Sequence, residues 1–292
     1  STLGGMAIGH AGTTLPHALG QPVSGIFGAP HGGSIAACLV RVMQFSVTAD
    51  LQAYSEIAEA LDPSVRELPL RRKAEASAEL VERLFRDTET TVLSWAGDGG
   101  TFDIGFQSLS GAVERNENCI FVCYDNEAYM NTGVQRSSAT PYGTRTTTTP
   151  AGQWKKTGKK NIVEALAAHR IPYAATASIG YPEDMLRKFE KAGKRKGGAR
   201  FIHVLATCPT GWRIGSEMSV KIARTAVQTN AFPLYEVEDG IQYTLNFRGH
   251  RKVKEYLTQQ GRFNHLTDSD IDQIQKMVDA EWRLLLRKAG LT

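Results

Sequence analysis

The chain has 292 residues, 41% of them hydrophobic, and 34 Lys plus Arg against 30 Asp plus Glu give a formal net charge of +4. That length suits about two domains, and its apolar content argues against a disordered chain, which would be poor in aliphatics and strongly charged. The near balance of charge argues against a dedicated nucleic-acid binder. No apolar run approaches the roughly 20 residues of a membrane span, and the first residues, STLGGMAIGHAGTT, lack the basic start and apolar stretch of a signal peptide, so a cytoplasmic location is expected.

Residues 1–88 read as a helical segment, and 89–292 as an α/β domain with a C-terminal extension. After a start rich in Gly and His, SIAACLVRVMQFS, LQAYSEIAEAL and LRRKAEASAELVERLFRD have helical character; in the last, Ala74, Ala78, Leu80, Val81, Leu84 and Phe85 recur at three- and four-residue intervals. Pro63 and Pro69 bracket the loop before it. From residue 90 strands and helices alternate. TVLSWAGDGG reads as a strand with a Gly-rich turn, DIGFQSLSGAVER as a helix, and CIFVCYDN as a strand with a polar end. A long loop dense in Thr, Gly, Ser and Pro runs from Glu127 to about Lys160. IVEALAAHR (helix), YAATASI (strand), PEDMLRKFEKAGKRK (helix) and RFIHVLAT (strand) follow. The tail predicts a helix over 219–229, short strands through LYEVEDGIQYTLNF, and a final helix over DSDIDQIQKMVDAEWRLLLRKA. This alternation implies a parallel sheet covered on both faces. The basic run from Lys188 to Arg200 reads as a solvated helix face.

Four cysteines, Cys38, Cys119, Cys123 and Cys208, are too few and too scattered for a disulfide framework. The strand period of two puts Cys119 and Cys123 on one face, where buried Cys behaves as a small hydrophobe.

The sharpest chemical signal is Gly97-Asp98-Gly99-Gly100, with 27 residues between Asp98 and Asn126 of the segment Asp125-Asn126-Glu127-Ala128-Tyr129-Met130-Asn131-Thr132-Gly133. A strand ending in GDG sets a carboxylate at the C-terminal edge of a parallel sheet, where α/β folds bind ligands. The next helix turns its free N–H groups to the same point, which suits a diphosphate. Asp98, the Asn126 amide and a carbonyl such as that of Ala128 are hard oxygen donors of the kind Mg²⁺ prefers. A bare GDG occurs in many turns; the second, Asn-bearing strand end at this spacing makes the pattern specific.

At this spacing GDG…N resembles the thiamine-diphosphate signature. The run from WAGDGGTFDIGFQ through YDNEAYMNTGVQRSS resembles the β subunit of pyruvate:ferredoxin oxidoreductases, as do YAATASIGYPEDMLRKFEKA, the segment Cys208-Pro209-Thr210-Gly211-Trp212, and FPLYEVEDG…EYLTQQGRFNHLT. The likeness spans about residues 90–292. It implies a thiamine-diphosphate-binding domain with the cofactor near Gly97, Asp98, Gly99, Gly100, Asn126, Ala128, Asn131 and Thr132. Mg²⁺ would be held by Asp98, Asn126 and the Ala128 carbonyl, and Asn131 would lie close to the reacting ring, with Gln135 in the same loop. The bland reading of Asn131 is a loop cap in an Asn-Thr-Gly turn. The implied activity is oxidative decarboxylation of a 2-oxoacid such as pyruvate to an acyl-coenzyme A, with electrons passed to ferredoxin. Partner subunits, an α subunit among them, would complete the cofactor site.

The family's N-terminal Cys-x-x-Cys-Gly and its further Cys, which with the Cys of CPTGW bind a [4Fe–4S] cluster, have no counterpart in residues 1–90, so Cys208 stands as a ligand without companions. The family's region that is missing here also supplies the sheet's first strand. Residues HAGTTLPHALGQPVSGIFGAPHGGSIAACLVRVMQFS instead resemble the metal-binding helical half of iron-dependent alcohol dehydrogenases. His17 and His31, the latter in Pro30-His31-Gly32, match that family's spacing for an Fe²⁺ or Zn²⁺ pair, and Gln21 stands where many members carry a further His. Hydrogen-bonded histidines in helix turns are the plain alternative. Two rivals to the oxidoreductase reading follow: an alcohol dehydrogenase fragment, and a non-catalytic assembly protein that keeps the cofactor fold.

Overall fold

The computed structural model describes residues 43–291 apart from 45, 87–90, 151 and 196. His17, His31 and Cys38 therefore lie outside the described residues. The chain divides into two compact units, Ser1–Thr91 and Val92–Thr292.

In the first unit α1 (Leu51–Leu61) starts at Asp50, whose carboxylate accepts from the Ala53 N–H at 3.0 Å. Asp62 then caps a 3₁₀ turn opened by Pro63, and α2 (Leu70–Arg86) follows. The paired faces are small: Ser55, Ala58, Ala74, Ser77 and Ala78 are all buried. Lys73 crosses from α2 to Glu59 of α1 at 2.5 Å.

The second unit is an α/β sheet structure. Its elements are β1 (Val92–Gly97), α3 (Phe106–Glu114), β2 (Cys119–Asp125), α4 (Ile162–Ala167), β3 (Tyr173–Ser178), α5 (Pro182–Lys194), β4 (Arg200–Leu205), α6 (Pro209–Trp212), α7 (Ser219–Gln228), β5 (Tyr235–Glu238), β6 (Gln242–Leu245), α8 (Lys254–Leu257) and α9 (Asp268–Lys288). The strand order is β1-β2-β4-β3-β5-β6. The pairs β1–β2, β2–β4 and β4–β3 are parallel, and β3–β5 and β5–β6 antiparallel. Central β3 and β4 are buried at every residue, as expected of strands covered on both faces. Along β2, Phe121 and Cys123 pack into one core while Ile120 and Val122 pack into another, on opposite faces of the strand. Direction reverses after β5 at Asp239 and Gly240, whose φ angles of 52° and 71° these two residue types tolerate. Helix α9 opens with a capping box: Asp270 N–H donates to Thr267 Oγ1, and Thr267 N–H donates to Asp270.

Two features depart from the sequence expectations. The basic run on α5 is only partly a solvated face. Lys188 is buried and donates to Asp184 (2.6 Å) and the Thr176 carbonyl (2.9 Å), and Arg200 is buried as well. Lys191 and Arg195 tie α5 to Glu236, Glu238 and Asp239. The antiparallel addition of β5 places these carboxylates beside α5, which linear spacing does not reveal. The second feature is β1, which forms one edge of the sheet and leaves Leu93 47% and Trp95 51% exposed. Among the described residues, no helix is long and apolar enough to cross a membrane.

Candidate functional site

Strand β1 ends at Gly97 and the chain turns at once into a helical run. The first N–H groups of such a run have no acceptor inside the helix. Thr101 locks the turn by donating from its hydroxyl to the Gly97 carbonyl at 2.8 Å. Two residues into it the run widens into a π segment, Gly100–Ile104, closed by the Gly105 N–H on the Gly100 carbonyl at 2.8 Å. A Cβ at residue 105 would run into that carbonyl oxygen, so the widened turn requires glycine. Gly105→Ala is expected to cost about 1–3 kcal/mol, read as a lower thermal midpoint. A midpoint equal to wild type would refute the steric argument. Gly99 is constrained in the same way by the Tyr129 ring, whose hydroxyl donates to the Gly99 carbonyl at 3.0 Å.

Strand β2 is in parallel register with β1 and carries the chain into Asn126, Glu127 and Ala128 beside the GDG turn. One end of the Asn126 amide lies 3.0 Å from Asp98 Oδ1 and 2.8 Å from the Ala128 carbonyl oxygen. With its NH₂ group there, Asn126 donates to both. With its carbonyl oxygen there, three oxygens face one another. Magnesium bonded at roughly 2.0–2.1 Å in an octahedron has neighbouring ligand oxygens about 2.9 Å apart, so the three-donor set fits a small hard cation. Among the described residues no group of three His, Cys, Asp or Glu side chains could hold a metal; this set is one carboxylate, one amide and one main-chain carbonyl.

Electrostatics single out Asp98. It is 1% exposed, and its direct partner is the Ser137 hydroxyl, which donates to Oδ2 at 2.5 Å. Burial, reinforced by the charge of Asp125, pushes its carboxyl up to about 7. Its neighbours are balanced instead. Lys159 pairs with Asp125 and, at 2.9 Å, with Glu127, while Arg262 reaches Glu127 at 2.6 Å. His203 must donate to Asp125 Oδ2 (2.6 Å), since a carboxylate has no proton to offer. Burial alone would raise the Asp125 carboxyl, but Lys159 and His203 outweigh it and hold it at about 2. Burial likewise keeps His203 below its ordinary value against the pull of Asp125. Two anions thus meet two cations, and Asp98 is the carboxylate left over.

The long loop after β2 folds back over this cluster. Thr140 donates to the Glu127 carbonyl at 2.7 Å, Asp103 accepts from the Ser138 N–H at 2.9 Å, and buried Lys155 donates to the carbonyls of Ser138, Thr140 and Gly158. Asn131, Thr132 and Gln135 are exposed on this loop, with Tyr129 and Gln135 bonded through their backbones. Cys208 is half-buried, and its sulfur accepts from the Gly211 N–H at 3.4 Å at the start of α6. Trp212 of the same short helix is fully buried and donates from Nε1 to the Asn126 carbonyl at 2.7 Å.

Residues 76–204 match the family described as thiamine pyrophosphate enzyme, C-terminal TPP binding domain. Residues 1–92 match the Fe-containing alcohol dehydrogenase family, C-terminal. The chain is 52% identical over 205 residues to ketoisovalerate oxidoreductase subunit VorB of Pyrococcus furiosus, covering 68% of this chain and 65% of that one. It is 49% identical over 215 residues to pyruvate synthase subunit PorB of Methanothermobacter marburgensis, covering 71% and 74%. To the PorB of Methanocaldococcus jannaschii it is 49% identical over 206 residues, covering 69% and 68%. The chain thus spans about two thirds of the length of the curated relatives it matches.

Proposed function

The chain belongs to the family of the PorB and VorB oxidoreductase subunits, and from that premise we propose that it is the β-type subunit of a 2-oxoacid:ferredoxin oxidoreductase. In this reading it binds thiamine diphosphate through Mg²⁺ and works with partner subunits. The observation that supports it most directly is the convergence of Asp98, the Asn126 amide and the Ala128 carbonyl around one point beside a helical turn.

Bound thiamine diphosphate supplies the electron sink that lets a 2-oxoacid lose carbon dioxide. The chain's own residues do the rest. Asp98, Asn126 and the Ala128 oxygen would hold Mg²⁺, and the N–H groups of the turn at Gly99 and Gly100 would face the diphosphate. Tyr129 and Thr101 keep that turn in place through the Gly99 and Gly97 carbonyls. Asn131, on the exposed loop, would present its amide to the substrate's carbonyl or carboxylate, with Thr132 beside it. Cys208 would be an iron–sulfur ligand only if thiolates from elsewhere joined it.

The substrate is a 2-oxoacid such as pyruvate, with ferredoxin and coenzyme A as further partners. The test is to co-purify the chain with its partner subunits and assay 2-oxoacid-dependent reduction of a viologen dye. Reduction by the complex, lost when thiamine diphosphate is withheld, is the expected result. An intact, cofactor-loaded complex that reduces no dye would overturn the enzymatic reading and leave a non-catalytic assembly role. A second reading concerns residues 1–92, whose family match favours an alcohol dehydrogenase-type segment with His17 and His31 as Fe²⁺ or Zn²⁺ ligands. Metal analysis decides it: bound Fe or Zn without thiamine diphosphate would favour this second reading over the first.

A further inference from the structure

Glu127 sits between the residues that supply the amide and the carbonyl, and its φ of 68° lies in the left-handed region that glycine enters freely and other residues enter at a cost. It is 4% exposed. A glycine would suit this backbone better, so the side chain must be what the position needs. That side chain is held twice, by Lys159 Nζ at 2.9 Å and by Arg262 Nη2 at 2.6 Å, from segments 32 and 135 residues away.

Three more bonds grip the same turn by its backbone. The Glu127 N–H donates to Asp125 Oδ1, Thr140 Oγ1 donates to the Glu127 carbonyl, and Trp212 Nε1 donates to the Asn126 carbonyl, each at 2.7 Å. Arg262 is itself immobilised. It donates to Gln260 Oε1 (2.9 Å) and the Tyr256 hydroxyl (3.2 Å), and its guanidinium lies 3.8 Å over the Trp212 ring. The circuit closes on itself: Asn126 carbonyl, Trp212, Arg262, Glu127. It encloses the peptide that joins Asn126 to Glu127, and the rotation of that peptide sets where the Asn126 side chain and the Ala128 carbonyl go.

We infer that Glu127 is a positioning residue for the cation site: its doubly paired carboxylate holds the turn 126–128 in the left-handed conformation that brings the Asn126 amide and the Ala128 carbonyl to Asp98. This rests on the reading of Asp98, Asn126 and Ala128 as cation ligands. It adds that the site is arranged before the cation arrives, by charges that never touch the cation.

The experiment uses the full chain assembled with its partner subunits. Thiamine diphosphate is titrated by calorimetry at a series of fixed Mg²⁺ concentrations, and Mn²⁺ in place of Mg²⁺ is followed by electron paramagnetic resonance. Glu127→Gln is expected to raise the Mg²⁺ needed for half-maximal cofactor binding by about tenfold or more, the usual effect of losing a group that orients a metal ligand. Cofactor affinity at saturating Mg²⁺ should stay close to wild type, and the Mn²⁺ spectrum should change. Glu127→Gly relieves the φ and removes the anchor, and is expected to show the same Mg²⁺ defect; Glu127→Asp should restore part of it. An unchanged Mg²⁺ requirement in Glu127→Gln, or wild-type behaviour of Glu127→Gly, overturns the inference. So does an equal loss of cofactor affinity at every Mg²⁺ concentration, which would mean general loosening. If Glu127→Gln does not fold, the Gly and Asp variants carry the same comparison. Failure of the ligand reading itself looks different: the wild-type complex would then show no Mg²⁺-dependent binding of thiamine diphosphate.

Discussion

Asp98→Asn is expected to weaken Mg²⁺-dependent binding of thiamine diphosphate by at least about 100-fold, because loss of an orienting group alone costs roughly 10–100-fold and here the proposed charged ligand itself is removed. The same change is expected to leave the cofactor-free protein as stable as wild type or more so. Asp98 is a buried carboxylate with no cation of its own, pushed up to about 7 by burial and by Asp125. Keeping such a group charged is unfavourable, and the isosteric amide removes the charge while still accepting from Ser137. Calorimetry and thermal unfolding of the same sample separate the two effects. Cofactor binding that survives the change would sink the assignment of Asp98, and a marked drop in cofactor-free stability would show that its role is structural.

The neighbouring lysine should behave in the opposite way. Lys159→Met leaves Asp125 and Glu127 buried with one cationic partner fewer, and breaking a buried pair costs about 3–5 kcal/mol. For a unit of this size that corresponds to a fall of roughly 10 °C in thermal midpoint. The pH dependence has a definite sign. Asp125 is held at about 2 in the folded chain, below its unfolded value of 3.8, so its contribution is present above that unfolded value and is lost as pH falls toward 2. Without Lys159 the carboxyl rises, and acid destabilisation should begin at higher pH. Circular dichroism melts between acidic and neutral pH measure both effects. A midpoint and acid limb equal to wild type would show that the pair is inert. Exposed Lys254, paired with Asp268, is the control: Lys254→Met should leave the melt unchanged.

These expectations depend on residues of very different visibility. Asp98, Asn126 and Ala128 could be named from a linear pattern because each lies just beyond the end of a strand, and parallel strands bring such ends to one edge of a sheet whatever the details of packing. The alternation of strands and helices after residue 90, the long Thr-rich loop and the final helix were legible for a local reason too: each is written in periodicity and turn residues. The basic run on α5 reads as a solvated face in the sequence because its acceptors, Glu236 and Glu238, arrive on an antiparallel strand that nothing in α5 announces.

The supports of the site were not legible. Ser137 belongs to a stretch that reads as ordinary loop, Lys159 is one lysine among several, and Trp212 and Arg262 lie 86 and 135 residues from their partners at Asn126 and Glu127. Even the left-handed backbone at Glu127 carries no local mark, since the residue type argues against it. The order of residues along the chain determined the type of fold and which donors reach the sheet edge, because both follow from short-range rules. Only the closed tertiary structure decided which charges balance, which carboxylate is left over and which turn is forced into strain, because buried ion pairs form between segments whose separation in sequence sets no limit on their approach in space.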